Sequence, residues 1–130
     1  MNRKIVIGSV VVMIVVVVLF IDVIPPKAMT VSAMTETAFR IKLALGKTGA
    51  IPSDLAPIPS RTGYANRIKD GWGRPLIYEH TSNTFTLTSL GKDGRRGGTA
   101  DNLDITKTWK VVFPARTTGT ASQVELMEIR

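Results

Sequence analysis

The sequence contains no cysteine and a single histidine, His80, among its 130 residues. Without thiols the chain holds neither a disulfide framework nor a thiolate metal site, and one imidazole cannot build a multi-histidine zinc centre. The absence of cysteine also removes one class of enzyme nucleophile, and no serine lies in a pattern that suggests a neighbouring base. We therefore interpret His80 as a surface residue of a strand and predict no catalytic residues and no enzyme activity.

Acidic residues are scarce as well, with 10 Asp and Glu against 17 Lys and Arg, which gives a formal net charge of +7. Such a balance suits an anionic partner such as lipid headgroups, lipopolysaccharide or nucleic acid. The basic residues are scattered rather than clustered, so an ordinary basic surface is the simpler interpretation and a nucleic acid partner is not expected. The length allows one small domain and an anchor, but not two cores.

Charged residues are almost absent from Ile5 to Ile24. About 20 apolar residues at roughly 1.5 Å per residue span the hydrocarbon core of a bilayer, which is about 30 Å thick. Because Arg3 and Lys4 precede this run, they are expected on the cytoplasmic side, with the rest of the chain exported. Residues 1–27 are therefore predicted to anchor a single-pass membrane protein whose remaining residues are periplasmic or extracellular. The alternative is a cleaved secretory signal that ends near Val31-Ser32-Ala33.

A second helix is predicted after the Pro25-Pro26 pair, which stops or kinks the first one because proline lacks an amide donor. We expect it to begin near Thr30 and to run to Leu45, with Gly46 at its end. Apolar residues that recur at helical spacing predict the face that packs on the core: Val31, Met34, Ala38, Ile41 and Leu45.

Three charged residues of this helix, Glu36, Arg40 and Lys42, lie off the apolar stripe. Phe39 and Leu43 fall on nearly the opposite side from it. They form either a second contact surface, for neighbouring subunits or a partner protein, or a pair of ordinary exposed apolar residues.

Strands are predicted in the second half of the chain, after a loop from Lys47 to Tyr64 that is rich in Gly, Pro and Ser. Leu76–His80 and Thr84–Ser89 alternate apolar and polar residues around a Thr81-Ser82-Asn83 turn, as in a β-hairpin. A third strand is predicted from Trp109 to Phe113.

One long helix followed by a few antiparallel strands predicts an α+β fold in which the helix covers one face of a small sheet. The globular domain is expected to span residues 28–116. The tail from Thr117 to Arg130 has no pattern that indicates an element.

The segment from Ser89 to Ile105 combines four glycines with three carboxylates. Calcium takes six to eight oxygen ligands at about 2.4 Å, which short loops supply from Asp side chains and inward-turned carbonyls. Such turning needs positive φ angles, which are accessible to Gly91, Gly94, Gly97 and Gly98. The charge would come from Asp93, Asp101 and Asp104, with carbonyls of Leu90 and of the Gly98 and Thr99 region completing the shell.

The same pattern has other interpretations. A connector rich in Gly and Asp is often only a solvated turn, and the residues alone do not decide between this and a calcium loop. Magnesium suits the segment less well, because it demands a strict octahedron and usually retains several waters. The ligand spacing and terminal Glu of an EF-hand are absent, and no Gly-Lys-Ser/Thr follows the glycines as in a phosphate-binding loop.

Motifs between Asp70 and Trp109 resemble, in order and spacing, the major pseudopilins of type II secretion systems. They are Asp70-Gly-Trp-Gly-Arg-Pro-Leu-Ile-Tyr78, Ser89-Leu-Gly-Lys-Asp-Gly94, Gly97-Gly98, Asp101-Asn-Leu-Asp-Ile105 and Trp109. The apolar span, Pro25 and the helix from Thr30 onward occupy the places of a pilin-like stem.

This resemblance implies a pilin-like fold and a structural subunit of a short periplasmic filament that pushes folded proteins through an outer-membrane channel. It also implies that calcium holds the carboxyl-terminal loop, with Leu90, Asp93, Asp101 and Asp104 as the ligand positions. The implied partners are other pseudopilin or secretion-apparatus subunits, and a homopolymer is one implied assembly.

The amino terminus departs from the family pattern. Pseudopilins usually carry a short basic leader that ends in Gly, followed by an aromatic residue and then by a Glu within the apolar stretch. Here Arg3-Lys4-Ile5 stands at the border, Gly8 lies already inside the apolar run, and no Glu follows within it. Processing by prepilin peptidase is therefore not predicted. The alternative function is a membrane-tethered, non-polymerising binding module that uses a pseudopilin-type domain.

Overall fold

A single long helix precedes a four-stranded sheet in the computed structural model, which describes residues 24–113 and 124–129. The helix, α1, spans Pro26–Thr48, and the strands are β1 (Ile77–His80), β2 (Thr84–Ser89), β3 (Ile105–Val112) and β4 (Glu125–Ile129). All neighbouring strands pair antiparallel in the order β1-β2-β3-β4. The expected α+β arrangement, one helix on a small antiparallel sheet, is confirmed.

The predicted membrane span, Ile5–Ile24, lies outside the described residues apart from Ile24, and so do Arg3 and Lys4. Within the part of the chain that is described, no helix is long and apolar enough to cross a membrane.

Helix α1 is longer than predicted at both ends. It begins at Pro26 rather than near Thr30. Proline suits the first helical position, because a main-chain N–H there has no acceptor within the helix and its absence costs no hydrogen bond. The helix ends at Thr48, and the following Gly49 adopts a left-handed φ of 73° and donates its N–H to the Leu45 carbonyl at 2.8 Å. The prediction that Gly46 ends the helix was therefore wrong, since Gly46 lies inside it.

Most of the predicted apolar stripe of α1 faces the core. Met34, Ala38, Ile41 and Leu45 are buried, but Val31 is 38% exposed, so its assignment to the core was wrong. Its place is taken by residues on the adjoining side of the helix, Thr30, Ala33 and Thr37.

Arg40 contradicts the prediction that it lies off the buried face, because it is only 5% exposed. Its guanidinium donates to the carbonyls of Pro59 at 2.8 Å, Asn66 at 3.0 Å and Ile58 at 3.3 Å. These charge-assisted hydrogen bonds compensate the loss of hydration of the buried cation. They also fasten the long loop after α1, which contributes Leu55 and Ile58 to the core.

The predicted hairpin is confirmed, with β1 beginning one residue later than expected, at Ile77. Strand β3 begins at Ile105, four residues before the predicted start at Trp109, and ends at Val112 rather than at Phe113. Strand β4 lies in the tail to which no element was assigned, and it pairs with β3 through Val111 and Leu126.

The core lies between α1 and one face of the sheet. Phe85 and Trp109 are cross-strand partners whose rings stack with centroids 5.2 Å apart. Tyr78 packs beside them and donates its hydroxyl to the carbonyl of Pro52 at 2.7 Å. Burial, and secondarily the charge of Asp54, raises the pKa of Tyr78 to about 12.

Candidate cation-binding loop and its support

The glycine-rich loop between β2 and β3, residues 90–104, folds back on itself. Its two arms are joined where the main-chain N–H of Lys92 donates to the Asp101 carbonyl at 2.8 Å. The second arm contains one turn of 3-10 helix, Ala100–Asn102. The loop is therefore a closed structure rather than an extended connector.

Gly91 and Gly98 allow this closure. Their φ angles are 67° and 98°, in the region that favours glycine. A Cβ on Gly98 would lie 2.6 Å from the carbonyl oxygen of Asn102, and one on Gly91 would lie 2.8 Å from that of Asp101. The sequence expectation that the loop glycines adopt positive φ angles is confirmed.

Two of the predicted ligands lie at the exposed rim of the loop. Asp93 Oδ1 accepts the main-chain N–H of Arg95 at 3.0 Å in a local turn. Asp101 Oδ1 lies 3.5 Å from the ammonium nitrogen of Lys27, in an exposed ion pair between the loop and the start of α1. Exposed pairs of this kind contribute only about 0–1 kcal/mol. Both carboxylates are therefore held weakly.

Asp104 is placed differently, at the end of the loop and directly before β3. Its Oδ2 accepts the main-chain N–H of Gly97 at 3.1 Å. Its Oδ1 is buried and has no hydrogen-bond partner within the described residues. A buried polar atom without a partner costs about 1–3 kcal/mol, and more when it carries charge. A cation beside Asp104 would remove this cost.

The predicted ligands are not gathered around one point. Across residues 24–113 and 124–129, no three His, Cys, Asp or Glu side chains are placed to hold a metal ion together. Leu90, predicted to ligate through its carbonyl, lies directly after the last residue of β2. The donor chemistry of three carboxylates and main-chain carbonyls suits a hard cation such as calcium. Ligation by all of them requires Asp93 and Asp101 to move towards Asp104.

A buried carboxylate, Asp70, lies beneath the loop and is 5% exposed. Its Oδ1 accepts the main-chain N–H groups of Trp72 at 3.0 Å and Arg74 at 2.9 Å. Its Oδ2 accepts the Ser89 hydroxyl at 2.7 Å, and Ser89 Oγ accepts the N–H of Gly91 at 3.3 Å. These hydrogen bonds satisfy the buried charge and connect it to the first glycine of the loop.

Arg74 supports the same arm of the loop with its side chain. Its Nη1 donates to the Gly91 carbonyl at 2.7 Å. The guanidinium also fills the space beside Gly94, where a Cβ would lie 2.7 Å from Arg74 Nε. Asp70 therefore holds the Arg74 backbone while Arg74 holds the turn from Gly91 to Gly94.

The start of α1 packs against this support from the other side. Thr30 Oγ1 accepts the N–H of Gly71 at 2.8 Å and donates to the Pro26 carbonyl at 2.8 Å. Gly71 leaves no room for a side chain, because a Cβ there would overlap the Pro26 carbonyl. The segment from Asp70 to Arg74 thus lies between the helix start and the candidate loop.

The sequence identified the candidate ligands but not the residues beneath them. Asp70 carries a detectable signal, since an Asp before Gly-Trp-Gly is typical of a turn in which the carboxylate accepts main-chain N–H groups. Arg74 and Ser89 have no comparable local signal, because their partners lie 17 and 19 residues away along the chain. The same holds for Lys27.

Residues 51–108 match the sequence model of a family described as type II secretion system (T2SS), protein G. The matched region contains the loop after α1, the β1–β2 hairpin, the candidate loop and the first half of β3. The match supports the resemblance to the major pseudopilins and extends it from Asp70 back to Ile51. No curated protein and no solved structure matches the chain significantly.

Proposed function

Starting from the match over residues 51–108, we propose that the chain is a structural, pseudopilin-like subunit of a type II secretion or pilus-like apparatus. The observation that carries the proposal is that the matched residues form the β1–β2 hairpin, the candidate loop and the first half of β3, which contain the motifs of the resemblance. The matched family is a structural one, so we expect no enzyme activity.

In this proposal residues 5–24 anchor the chain in the inner membrane and the globular domain lies on the periplasmic or extracellular side. The apolar run and the basic residues before it support this topology. Helix α1 begins two residues after the run, at Pro26. The start of α1 would therefore be held close to the membrane by a short connection.

The proposed partners are other subunits of the apparatus, and α1 offers a surface for them. Phe39 and Leu43 are 41% and 38% exposed on this helix. Arg61 lies between Phe39 and Tyr64, with its guanidinium carbon 4.1 Å and 3.5 Å from the two ring centroids. Cation–π contacts hold such rings in place at low entropic cost, which favours a defined contact surface.

Site-specific cross-linking in membranes tests this assembly. Because the chain has no cysteine, Leu43→Cys introduces a unique thiol on the proposed surface, and Ser82→Cys provides a matched control at the hairpin turn. We expect ladders of cross-linked subunits from Leu43→Cys and few from Ser82→Cys. Monomers from both variants would instead support the tethered binding module. Intact mass would show whether the amino terminus is processed.

We further propose that the loop from Leu90 to Asp104 binds calcium and that calcium stabilises the domain. Asp104 would be the central ligand, and its buried Oδ1, which has no hydrogen-bond partner among residues 24–113 and 124–129, supports this assignment. Asp93 and Asp101 would add charge, and the carbonyl of Leu90 would add a neutral oxygen. The ion would give the Asp104 carboxylate a positively charged partner. Its effect would be on the stability of the domain rather than on catalytic turnover.

A further inference from the structure

A crevice lies beside the first turns of α1, and the proposed filament role does not account for it. Two cavities of about 400 and 260 Å³ lie beside the first turns of the helix and share Met29 and Arg67 in their walls. Apolar side chains line much of the crevice, namely Ile24, Ala28, Met29 and Ile68. Ile24 is 61% exposed and is the last residue of the apolar run.

Two cations border the crevice. Arg67 and Lys69 are exposed and line it, whereas Ile68 between them is partly buried and packs on the core. Within residues 24–113 and 124–129, neither cation has a carboxylate at ion-pair distance. No neighbouring carboxylate of this part of the chain therefore competes with a ligand for these two cations.

The backbone that carries these cations is fixed. The Thr37 hydroxyl donates to the Arg67 carbonyl at 3.1 Å, and the Leu76 N–H donates to the Ile68 carbonyl at 2.9 Å. Lys69 forms a β-bridge with Pro75. A prearranged pair of cations loses little backbone freedom when it binds a ligand.

Two carboxylates also line the crevice, and their positions restrict where an anion can lie. Asp70 is buried and both of its oxygens are hydrogen-bonded, as described above. Glu36 Oε1 accepts the N–H of Asn66 at 3.0 Å and lies further along α1 from the apolar run. The favourable position for an anion is therefore at Arg67 and Lys69, with apolar groups towards Ile24.

We propose that this crevice binds an anionic phospholipid of the leaflet from which the chain emerges. The phosphate lies at Arg67 and Lys69, and the upper part of an acyl chain lies along Met29, Ala28 and Ile24. This inference rests on the proposed membrane anchor, because only an anchored chain holds the crevice at the bilayer surface. Each cation near an anionic leaflet favours it about fivefold, so the pair favours anionic over zwitterionic lipid by roughly thirtyfold.

The test uses the full chain in nanodiscs of phosphatidylcholine, alone or mixed with phosphatidylglycerol. Met29→Cys gives a unique thiol in the crevice, and its rate of alkylation by a neutral maleimide reports whether lipid covers it. We expect alkylation at least about fivefold slower in discs with phosphatidylglycerol. Because the two discs are compared for one variant, differences in the intrinsic reactivity of the thiol cancel.

Two double variants are compared, each made in the chain that carries Met29→Cys. One carries Arg67→Gln and Lys69→Gln, and the other carries Lys47→Gln and Lys110→Gln. Both pairs remove the same charge, but Lys47 lies at the far end of α1 and Lys110 on β3. We expect the first pair to abolish the protection and the second to keep it, with unchanged thermal unfolding of both. Equal loss in both pairs would reveal only a general attraction to an anionic surface and would overturn the proposal.

Other outcomes overturn it in distinguishable ways. Equal alkylation rates in both discs, with the chain fully incorporated, would reject the lipid site and leave the anchor intact. Protection in phosphatidylcholine alone that grows with the protein-to-disc ratio would place a second copy of the chain in the crevice. Failure of the chain to incorporate into discs would reject both the anchor and the lipid site.

Discussion

Replacing Asp104 by Asn is the sharpest test of the calcium proposal. The substitution keeps the shape of the side chain and an oxygen for the N–H of Gly97. It replaces the buried Oδ1, which has no hydrogen-bond partner within the described part of the chain, by an uncharged amide nitrogen. In chelator we expect the free energy of unfolding to change by less than about 1 kcal/mol, because a buried unpartnered charge is lost together with the carboxylate. In calcium we expect a clear loss.

The size of that loss follows from binding linkage. Calcium at about 10 to 100 times its dissociation constant stabilises the native state by roughly 1.4 to 2.7 kcal/mol. For a domain of this size the gain corresponds to a rise in Tm of roughly 6–20 °C.

The assay is thermal unfolding of the full chain in detergent, followed by tryptophan fluorescence. Trp109 is buried against Phe85 and so reports the core. Glu79→Gln is the matched control, since it removes one carboxylate from an exposed position of β1. Magnesium at equal concentration controls for ionic strength, because its strict octahedron suits this loop less well.

Two results would refute the reasoning. If calcium does not raise the Tm of the parent chain above that in chelator, the loop does not bind the ion in the folded state. If Asp104→Asn responds to calcium as strongly as the control Glu79→Gln and the parent chain do, the ion binds elsewhere. Loss of the response in Asp93→Ala as well would extend the ligand set to the rim of the loop.

Three further predictions concern the fold. Gly71→Ala should destabilise the domain by about 1–3 kcal/mol in urea unfolding, because the new Cβ would overlap the Pro26 carbonyl. Gly46→Ala, which has open space around it, should instead stabilise α1 by about 0.5–1 kcal/mol. Arg40→Met should cost about 3 kcal/mol in the same assay by leaving buried carbonyls without a donor, and a loss below about 1 kcal/mol would contradict this. The folded-state pKa of Tyr78 is raised from 10.0 to about 12, so the neutral phenol contributes fully to stability below pH 10 and this contribution is lost as pH rises towards 12. Tyr78→Phe should therefore lose less free energy of unfolding than the parent chain between pH 10 and 12, measured by urea unfolding at a series of pH values.

The hairpin and α1 were predictable because their signals are local. The alternation in Thr84–Ser89, the turn residues before it and the helical spacing of Met34, Ala38 and Ile41 all lie within short windows. The start of β3 was missed because Lys107 interrupts the apolar alternation. In the folded chain Lys107 forms an ion pair with Glu128 of β4 at 2.8 Å, and no local pattern reveals this partner.

The burial of Arg40 and the pairing of β4 depend on tertiary structure in the same way. Arg40 is buried because three carbonyls from a loop 18 to 26 residues away converge on it. Strand β4 is short, and most of its residues are exposed, so its sequence has little apolar alternation to detect. In the candidate loop, the glycines that turn the chain were predictable from type and spacing, whereas the support from Arg74 and Ser89 was not, because their partners lie 17 and 19 residues away.

Three segments that are distant in sequence meet at one end of the domain, and this arrangement connects the two proposed sites. The start of α1, the turn after Asp70 and the candidate loop are joined by short hydrogen bonds, but Lys27 and Asp101 are joined only by an exposed ion pair. An ion that draws Asp101 towards Asp104 therefore breaks the most weakly held of these contacts. It frees the ammonium group of Lys27 beside the apolar run, where a third cation would strengthen the attraction of this end of the domain to anionic lipid. Calcium binding should thus strengthen the binding of anionic lipid, and because coupling free energies are reciprocal, lipid should strengthen the binding of calcium by the same factor.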